Sequence, residues 1–366
     1  MVLFPKIRVC FVTQTLSHGG AERVVSVLAS QLAQEGHDVS IIKYFEVPNE
    51  YHVDNKVRVI CASNGDESIY KTFDLLKKIK CIRRALKEAK AEYVVPFLPH
   101  VAAHVFIASL GLKLRAIQTI RIAPNKAPAS LLLRLIRDFL VACSYATFVQ
   151  TDSQKEYFPK RIHHKIVVLP NPVSEQMFRV QPEYPQNITK IISMGRLTEQ
   201  KNFSMLIRAV AQIDAMGIPV HLDIYGEGEL RSSLQSQIET QNCQNICCLC
   251  GRTEKVQETL QGVHLFVLPS NFEGMPNALM EAMAAGLPCI STDCETGPRE
   301  LIKPGIGLLV PVNSQEAMVS AILDIIQDPE GSKEMGIRAK KYMVENYSAE
   351  VISTKFIREV IFKGDI

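Results

Sequence analysis

Ile7-Arg8-Val9-Cys10-Phe11-Val12 is an apolar run of strand length, and Ser17-His18-Gly19-Gly20 follows it as a glycine-bearing turn. Val24, Val25, Val27, Leu28 and Leu32 then recur at helical spacing through Arg23–Gln34; Gly36 stops that helix, and Asp38–Tyr44 opens a second strand. Strand, glycine turn, helix and strand make the unit from which parallel sheets are built.

Outward from that unit the pattern repeats. Tyr93–Phe97, Ala116–Ile122 and Thr147–Thr151 read as further strands with helical stretches between them. Pro170-Asn171-Pro172 interrupts the series and reads as a linker. A second series follows, with strands Lys190–Met194, Val220–Tyr225, Ile246–Leu249, Leu265–Leu268 and Pro288–Ser291. Its helices are Phe203–Ala215, Asn277–Ala285 and Gln315–Gln327. The expectation is an α/β chain of two Rossmann-like, doubly wound parallel-sheet domains facing a cleft. These are residues 1–172 and 173–345, with a C-terminal helix in 346–366 packing back toward the first. Open parallel sheets bind ligands beyond the carboxyl ends of their strands, so function is sought in the βα loops.

Composition agrees with a globular chain large enough for two cores: 366 residues, 47% hydrophobic and 22% charged. No apolar run reaches the ~18–20 residues that span a bilayer, and Met1–Lys6 lacks a basic region followed by an apolar stretch. The expectation is a cytoplasmic protein with reduced thiols, peripheral at the inner face of the plasma membrane at most. Cys247, Cys248 and Cys250 fall in one short strand, where neighbours face opposite ways, so the three thiols do not converge on one ion. No metal and no cofactor are expected. The net charge of +3 conceals an asymmetry: residues 1–172 carry 24 Lys+Arg against 14 Asp+Glu, and residues 173–366 carry 17 against 24. Much of the basic excess lies in Lys71–Lys90, where Leu75, Leu76, Ile79, Ile82 and Leu86 recur at helical spacing. This amphipathic basic helix is either a solvated face or a contact for anionic lipid or a pyrophosphate-linked acceptor. No nucleic-acid partner is expected.

Candidate chemistry concentrates in the second series. Ser270-Asn271-Phe272-Glu273-Gly274-Met275-Pro276-Asn277-Ala278-Leu279-Met280-Glu281 links a strand to an alanine-rich helix that Gly286 ends. Pro276 suits the first helical turn, where amides around Gly274, Met275 and Asn277 would meet a phosphate. Glu273 in the loop and Glu281 on the helix can flank one ligand, each accepting from hydroxyl groups. Gly195-Arg196-Leu197-Thr198-Glu199-Gln200-Lys201-Asn202 follows another strand, and Arg196 with Lys201 can neutralise a diphosphate leaving group. Gly19-Gly20-Ala21-Glu22 supplies backbone for close approach but is not Gly-x-Gly-x-x-Gly, so nicotinamide and flavin cofactors are poorly supported. Gly226-Glu227-Gly228 and Gly251-Arg252 fall after further strands, where backbone can pass close to a nucleoside.

Together, in this order along essentially the whole chain, these motifs resemble the retaining glycosyltransferases of the GT-B fold that carry the E-x7-E motif, glycosyltransferase family 4, group 1. The resemblance implies that Glu281 holds the donor ribose and Glu273 contacts the transferred sugar. It implies that Arg196 and Lys201 grip the diphosphate with help from Gly274–Asn277, and that Gly19, Gly20 and Gly226 shape the donor site. Backbone around Arg252 and Thr253 would read the base. Within the family the chain is most similar to bacterial enzymes that extend lipid-linked oligosaccharides for surface polysaccharides, which implies a UDP-sugar donor and a polyprenyl-diphosphate-linked acceptor. Many relatives carry a histidine after the fifth strand of the first domain. Here Arg121 stands near that position, and His100 and His104 lie on another loop that can contact donor or acceptor. A soluble acceptor, a non-catalytic sugar-nucleotide-binding protein and a sugar-nucleotide epimerase are the alternatives. Donor turnover without acceptor, or binding without transfer, separates them.

Overall fold

A computed structural model describes residues 4–17, 19–63, 75–122, 124–125, 128, 130–187 and 189–364, and its contacts divide the chain into two units, Met1–Pro172 with Ala349–Ile366, and Val173–Ser348. In the first unit β1 (Arg8–Thr13), β2 (Asp38–Lys43), β3 (Arg58–Cys61), β4 (Tyr93–Pro96), β5 (Arg115–Ile120), β6 (Ala146–Val149) and β7 (Ile166–Val168) form one parallel sheet, ordered β3-β2-β1-β4-β5-β6-β7. Its helices are α1 (Gly20–Gln34), α2 (Leu75–Ala89), α3 (Pro99–Ser109), α4 (Leu131–Cys143) and α5 (Asp152–Glu156). The chain winds outward from β1 to β3 and then returns beside β1 as β4, so the strand order reverses between β1 and β4. Both faces of β1 are covered, which is why its run is almost continuously apolar. Val9 and Phe11 join a core with α1 and the C-terminal segment; Cys10 and Val12 join another with α2 and α3.

The C-terminal segment, Ala349–Lys355 with a π-helical turn at Phe356–Ile361, is built into this first core. Phe356 is fully buried, with its ring 6.2 Å from that of Phe11 and 6.0 Å from that of Phe148.

The second unit holds β8 (Lys190–Met194), β9 (His221–Tyr225), β10 (Cys247–Gly251), β11 (Leu265–Leu268), β12 (Cys289–Thr292) and β13 (Leu308–Val310), parallel and ordered β10-β9-β8-β11-β12-β13. The helices are α6 (Phe203–Ala215), α7 (Arg231–Thr240), α8 (Val256–Leu260), α9 (Asn277–Ala285), α10 (Pro298–Leu301), α11 (Gln315–Gln327) and α12 (Pro329–Tyr347). Order reverses between β8 and β11, so the loops after these two strands flank a switch point. Helix α9 buries every residue from Leu279 to Ala285, and Gly286 in left-handed conformation (φ 92°) stops it.

Three strands absent from the sequence reading, β3, β7 and β13, sit toward or at the sheet edges and are three or four residues long. The basic amphipathic helix is described from Leu75 to Ala89; Lys71 lies outside the described residues. No helix among the described residues is long and apolar enough to cross a membrane.

Candidate active site

The loops after β8 and β11 are stapled together. Asn202, in left-handed conformation at the head of α6, donates through Nδ2 to Asn271 Oδ1 at 3.0 Å and to Asn313 Oδ1 at 2.8 Å. Asn271 N donates to Gln200 O at 2.8 Å, Asn271 Nδ2 to Glu199 O at 2.7 Å, and Gln200 Nε2 to Phe272 O at 2.9 Å. This lattice brings Lys201 onto Glu273: Nζ donates to Oε1 at 2.5 Å, with side-chain exposures of 13% and 6%. Ser270 Oγ donates to the same carboxylate oxygen at 2.6 Å, and Thr296 Oγ1 donates to Glu273 O. Glu281 is buried on the first turns of α9. A nearly dry carboxylate–ammonium pair at the carboxyl ends of two adjacent strands is expensive to desolvate, and its chemistry suits a charged or hydroxyl-rich ligand.

The remaining predicted residues of this unit differ in exposure and in partners. Arg196 is exposed, and its side chain has no hydrogen-bond or ion-pair partner among the described residues. Gly274, Met275 and Pro276 are buried; Pro276 is the extended residue before α9 rather than its first helical residue, and Asn277 begins the helix. Arg252 is exposed after β10, and Thr253 Oγ1 meets Thr259 Oγ1 at 2.8 Å. Gly226 has φ 152°, and a Cβ there would stand 1.8 Å from Gly195 O. Its freedom therefore serves the packing of the loop after β9 onto the loop that carries Arg196 and Lys201.

In the first unit Gly19 precedes α1 with ordinary extended φ, and Gly20 is the helix's first residue. A Cβ at 19 would stand 1.8 Å from a Glu22 carboxylate oxygen, the movable end of a flexible side chain. Burial raises the Glu22 pKa, opposed by its own amide and by the Arg121 cation. Arg121, just beyond β5, donates from Nη2 to Asn171 Oδ1 at 2.5 Å and lies over the Phe97 ring at 5.0 Å. Its Nη1 is buried with no partner among the described residues, and burial lowers its pKa to about 9 against the attraction of Glu22. Asn171 also accepts from Gln150 Nε2 at 2.8 Å, so the Asn of the expected linker is a buried anchor for Arg121. His104 Nδ1 meets Tyr44 Oη at 3.1 Å, and the His100 and His104 rings lie 6.3 Å apart. Burial, then Lys78 for His100 and His100 with Lys78 for His104, lowers both pKa values.

Ser270, Thr296, Asn171 and Gln150 were assigned no role from sequence. Ser270 lay inside the quoted motif; the others touch partners far along the chain. Among the cysteines, Cys247 faces the core, while Cys248 and Cys250 share the other face of β10. With Asp223, opposite Cys248 in register, they place three ligand atoms within 4.8 Å of one another. The spacing rule excludes three converging thiols, not two thiols with a carboxylate from the next strand. Burial, with Cys248 and Asp223 adding to it, pushes the Cys250 thiol up to about 12.

Comparison with known proteins bears on both units. Residues 18–176 match the model for Glycosyltransferase Family 4, and residues 174–342 the model for Glycosyl transferases group 1. Over 344 residues, 92% of this chain and 93% of the relative, the chain is 28% identical to the GalNAc-alpha-(1->4)-GalNAc-alpha-(1->3)-diNAcBac-PP-undecaprenol alpha-1,4-N-acetyl-D-galactosaminyltransferase of Campylobacter jejuni. It is 24% identical to an amylovoran biosynthesis glycosyltransferase of Erwinia amylovora, covering 92% of this chain and 95% of that one. Among solved structures, Anabaena HepE in complex with UDP and glucose superposes with a TM-score of 0.80 at 14% identity, covering 97% of this chain and 100% of that one. The fold of both units is that of the GT-B enzymes.

Proposed function

We infer that this chain, which belongs to the glycosyltransferases with a family 4 domain in its first half and a group 1 domain in its second, moves a hexose or N-acetylhexosamine from a UDP-sugar to a lipid-linked oligosaccharide, retaining the anomeric configuration. The observation that carries this reading is the buried Lys201–Glu273 pair at the strand ends, eight residues ahead of the buried Glu281. The relative that acts on an undecaprenol-linked glycan supports the acceptor, and the neighbour holding UDP and glucose supports the donor.

In this mechanism Glu281 accepts from the ribose hydroxyls. Lys201 keeps one N–H on Glu273 and turns its others to the diphosphate, with Arg196 completing the charge. The bond between the sugar's anomeric carbon and the phosphate oxygen breaks, and the acceptor oxygen bonds to that carbon on the same face. The acceptor's proton passes to the departing phosphate oxygen, so no strong protein base is needed. Two cations aimed at the charge that builds on the leaving group supply what a metal supplies elsewhere, each about 3–4 kcal/mol. The first domain takes the acceptor, and the chain works as a cytoplasmic protein at the membrane surface.

The deciding assay offers UDP- and GDP-sugars with and without a polyprenyl-diphosphate-linked glycan, in the presence of EDTA. Transfer from one UDP-sugar, dependent on the lipid acceptor and indifferent to EDTA, is the expected result. Tight donor binding without transfer to any acceptor would refute it.

A further inference from the structure

Helix α4 turns most of its apolar side chains outward and buries an arginine beside Leu140 and Val141. Its sequence is Leu131-Leu132-Leu133-Arg134-Leu135-Ile136-Arg137-Asp138-Phe139-Leu140-Val141-Ala142-Cys143, and it turns Arg137 toward the core, 7% exposed. That guanidinium donates to Pro124 O at 2.7 Å and to Tyr157 Oη at 3.0 Å, pairs with Asp138 at 2.8 Å and lies over the Tyr157 ring at 5.1 Å. The side chains turned outward are Leu131, Leu132, Leu133, Leu135, Ile136 and Phe139, 39% to 70% exposed. A helix on the surface of a globular domain ordinarily does the reverse, with its apolar stripe inward and its arginines in water. Single exposed leucines are common, but six on one helix make a contiguous patch of the kind that marks an interaction surface.

The neighbouring helices say what covers it. Helix α4 packs on α3, where Phe106 meets Phe139 at 6.2 Å and Ile107 and Leu110 are also exposed. Helix α2, on the other side of α3, carries Lys77, Lys78, Lys80, Arg83, Arg84 and Lys87, with Leu75 and Leu76 exposed at its start. The acidic residues on these three helices are Asp138, paired with Arg137, and Glu88, paired with Arg58. An apolar face bordered by cations fits a partner with an apolar interior and an anionic rim. A second copy would offer this same face, whose two acidic residues are already paired, and so no anions for the cations of α2, and a soluble polyanion would leave the leucines in water.

We propose that this face of the first unit docks on an anionic bilayer, with the outward side chains of α4 inserted at the headgroup–acyl boundary and the lysines of α2 on the lipid phosphates. The sequence pointed to the basic α2 alone; the structure assigns the insertion to α4. The choice of a bilayer rests in part on the lipid-linked acceptor proposed above, but the test measures no sugar transfer, so the two readings fail separately. The full chain is floated with vesicles of phosphatidylcholine alone and with phosphatidylglycerol added. The protein rises with the anionic vesicles, and part of it stays bound near 1 M salt, where the screening length is about 3 Å and only the apolar contribution survives. Leu132→Ser with Leu135→Ser lowers the partition coefficient by about 100-fold, as the loss of two inserted leucines dictates, at an unchanged melting temperature. Wild-type protein left unbound by both vesicles overturns the proposal, and so does a doubly substituted protein that floats as well as wild type. A wild-type dimer that these substitutions dissociate, without lipid binding, gives the face to a second copy instead.

Discussion

Lys201→Ala removes a cation from the loop after β8 and also leaves the buried Glu273 carboxylate with the Ser270 hydroxyl in place of an ion pair. Breaking a buried pair from one side costs about 3–5 kcal/mol, so activity and stability fall together and lost turnover alone does not assign a role. The expected separation uses Glu273→Gln as background: adding Lys201→Ala there restores the melting temperature toward wild type, while kcat of the single Lys201→Ala, about 100-fold down or more, is not recovered. Recovered kcat in the double variant would make Lys201 a structural counter-ion. Glu281 calls for another readout. A carboxylate on the ribose binds ground and transition states alike, so Glu281→Gln raises donor KM by about 10- to 100-fold with kcat within a few-fold. A collapse of kcat at constant KM would move Glu281 to the reacting centre. Residue types and spacing in βα loops singled out Lys201 and Glu273, which the structure pairs, and Glu281, which it buries on α9. Asn171, Gln150 and Thr296 were not, because their partners lie 50, 21 and 23 residues away and only folding brings them together.

At the scale of elements, the loop that carries Arg196 and Lys201 is held by what lies beneath it. Gly226→Ala drives a Cβ into Gly195 O and strains a φ of 152°, which predicts a loss of about 3 kcal/mol or more and weakened donor binding. Gly217→Ala is the control: its φ of 78° is strained but nothing lies within 4 Å, so about 1 kcal/mol is expected and donor binding stays as it was. Equal thermal shifts for the two would deny the close approach. His264 joins β8 and β11 at their other ends. Its Nδ1 accepts from Thr189 N at 3.1 Å and from Lys190 N at 3.2 Å, which only the neutral ring can do. Burial, and then Lys190, lowers its pKa, so below the ordinary histidine value the unfolded chain binds more protons than the folded one. The resulting stability is whole above about pH 6.5 and is lost as pH falls through the folded pKa. His264→Gln should flatten the decline of the second unit's melting temperature between about pH 7 and 5, and an unchanged slope would remove His264 as its source. Long periodic segments were legible here; Gln315–Gln327 is the same in the sequence reading and in the structure. Strands β3, β7 and β13 were not, because three or four residues show no periodicity. Nor was the face of α4, because a pattern of apolar residues says that a stripe exists and not which way it points.

At the scale of the whole molecule, the chain enters the second unit at Val173 and leaves it at Ser348, and its last helical turns complete the first. The βα alternation made two parallel-sheet units legible. The sequence expectation sets 346–366 back on the first unit, although Ile352, Phe356, Ile357, Val360 and Ile361 by themselves show only that some core receives them. That core contains Phe11, Phe97 and Phe148. Ending the chain after Ser348 removes all five, and at about 1.5–3 kcal/mol for each large side chain the loss equals or exceeds the whole stability of a typical domain. The second unit keeps its own clusters intact, because none of the five residues belongs to them. The truncated chain should therefore lose cooperative unfolding of its first unit while its second unit melts as before. Phe356→Ala, costing about 3–5 kcal/mol, should lower one transition without moving the other. Hydrogen exchange resolved along the sequence tells the outcomes apart. Protection lost in β1, β4 and β6 and kept in β8 and β11 is the expected result. Uniform loss across both sheets would mean that the two units fold as a single cooperative body, and the ownership of the C-terminal segment would then carry no separate energetic meaning.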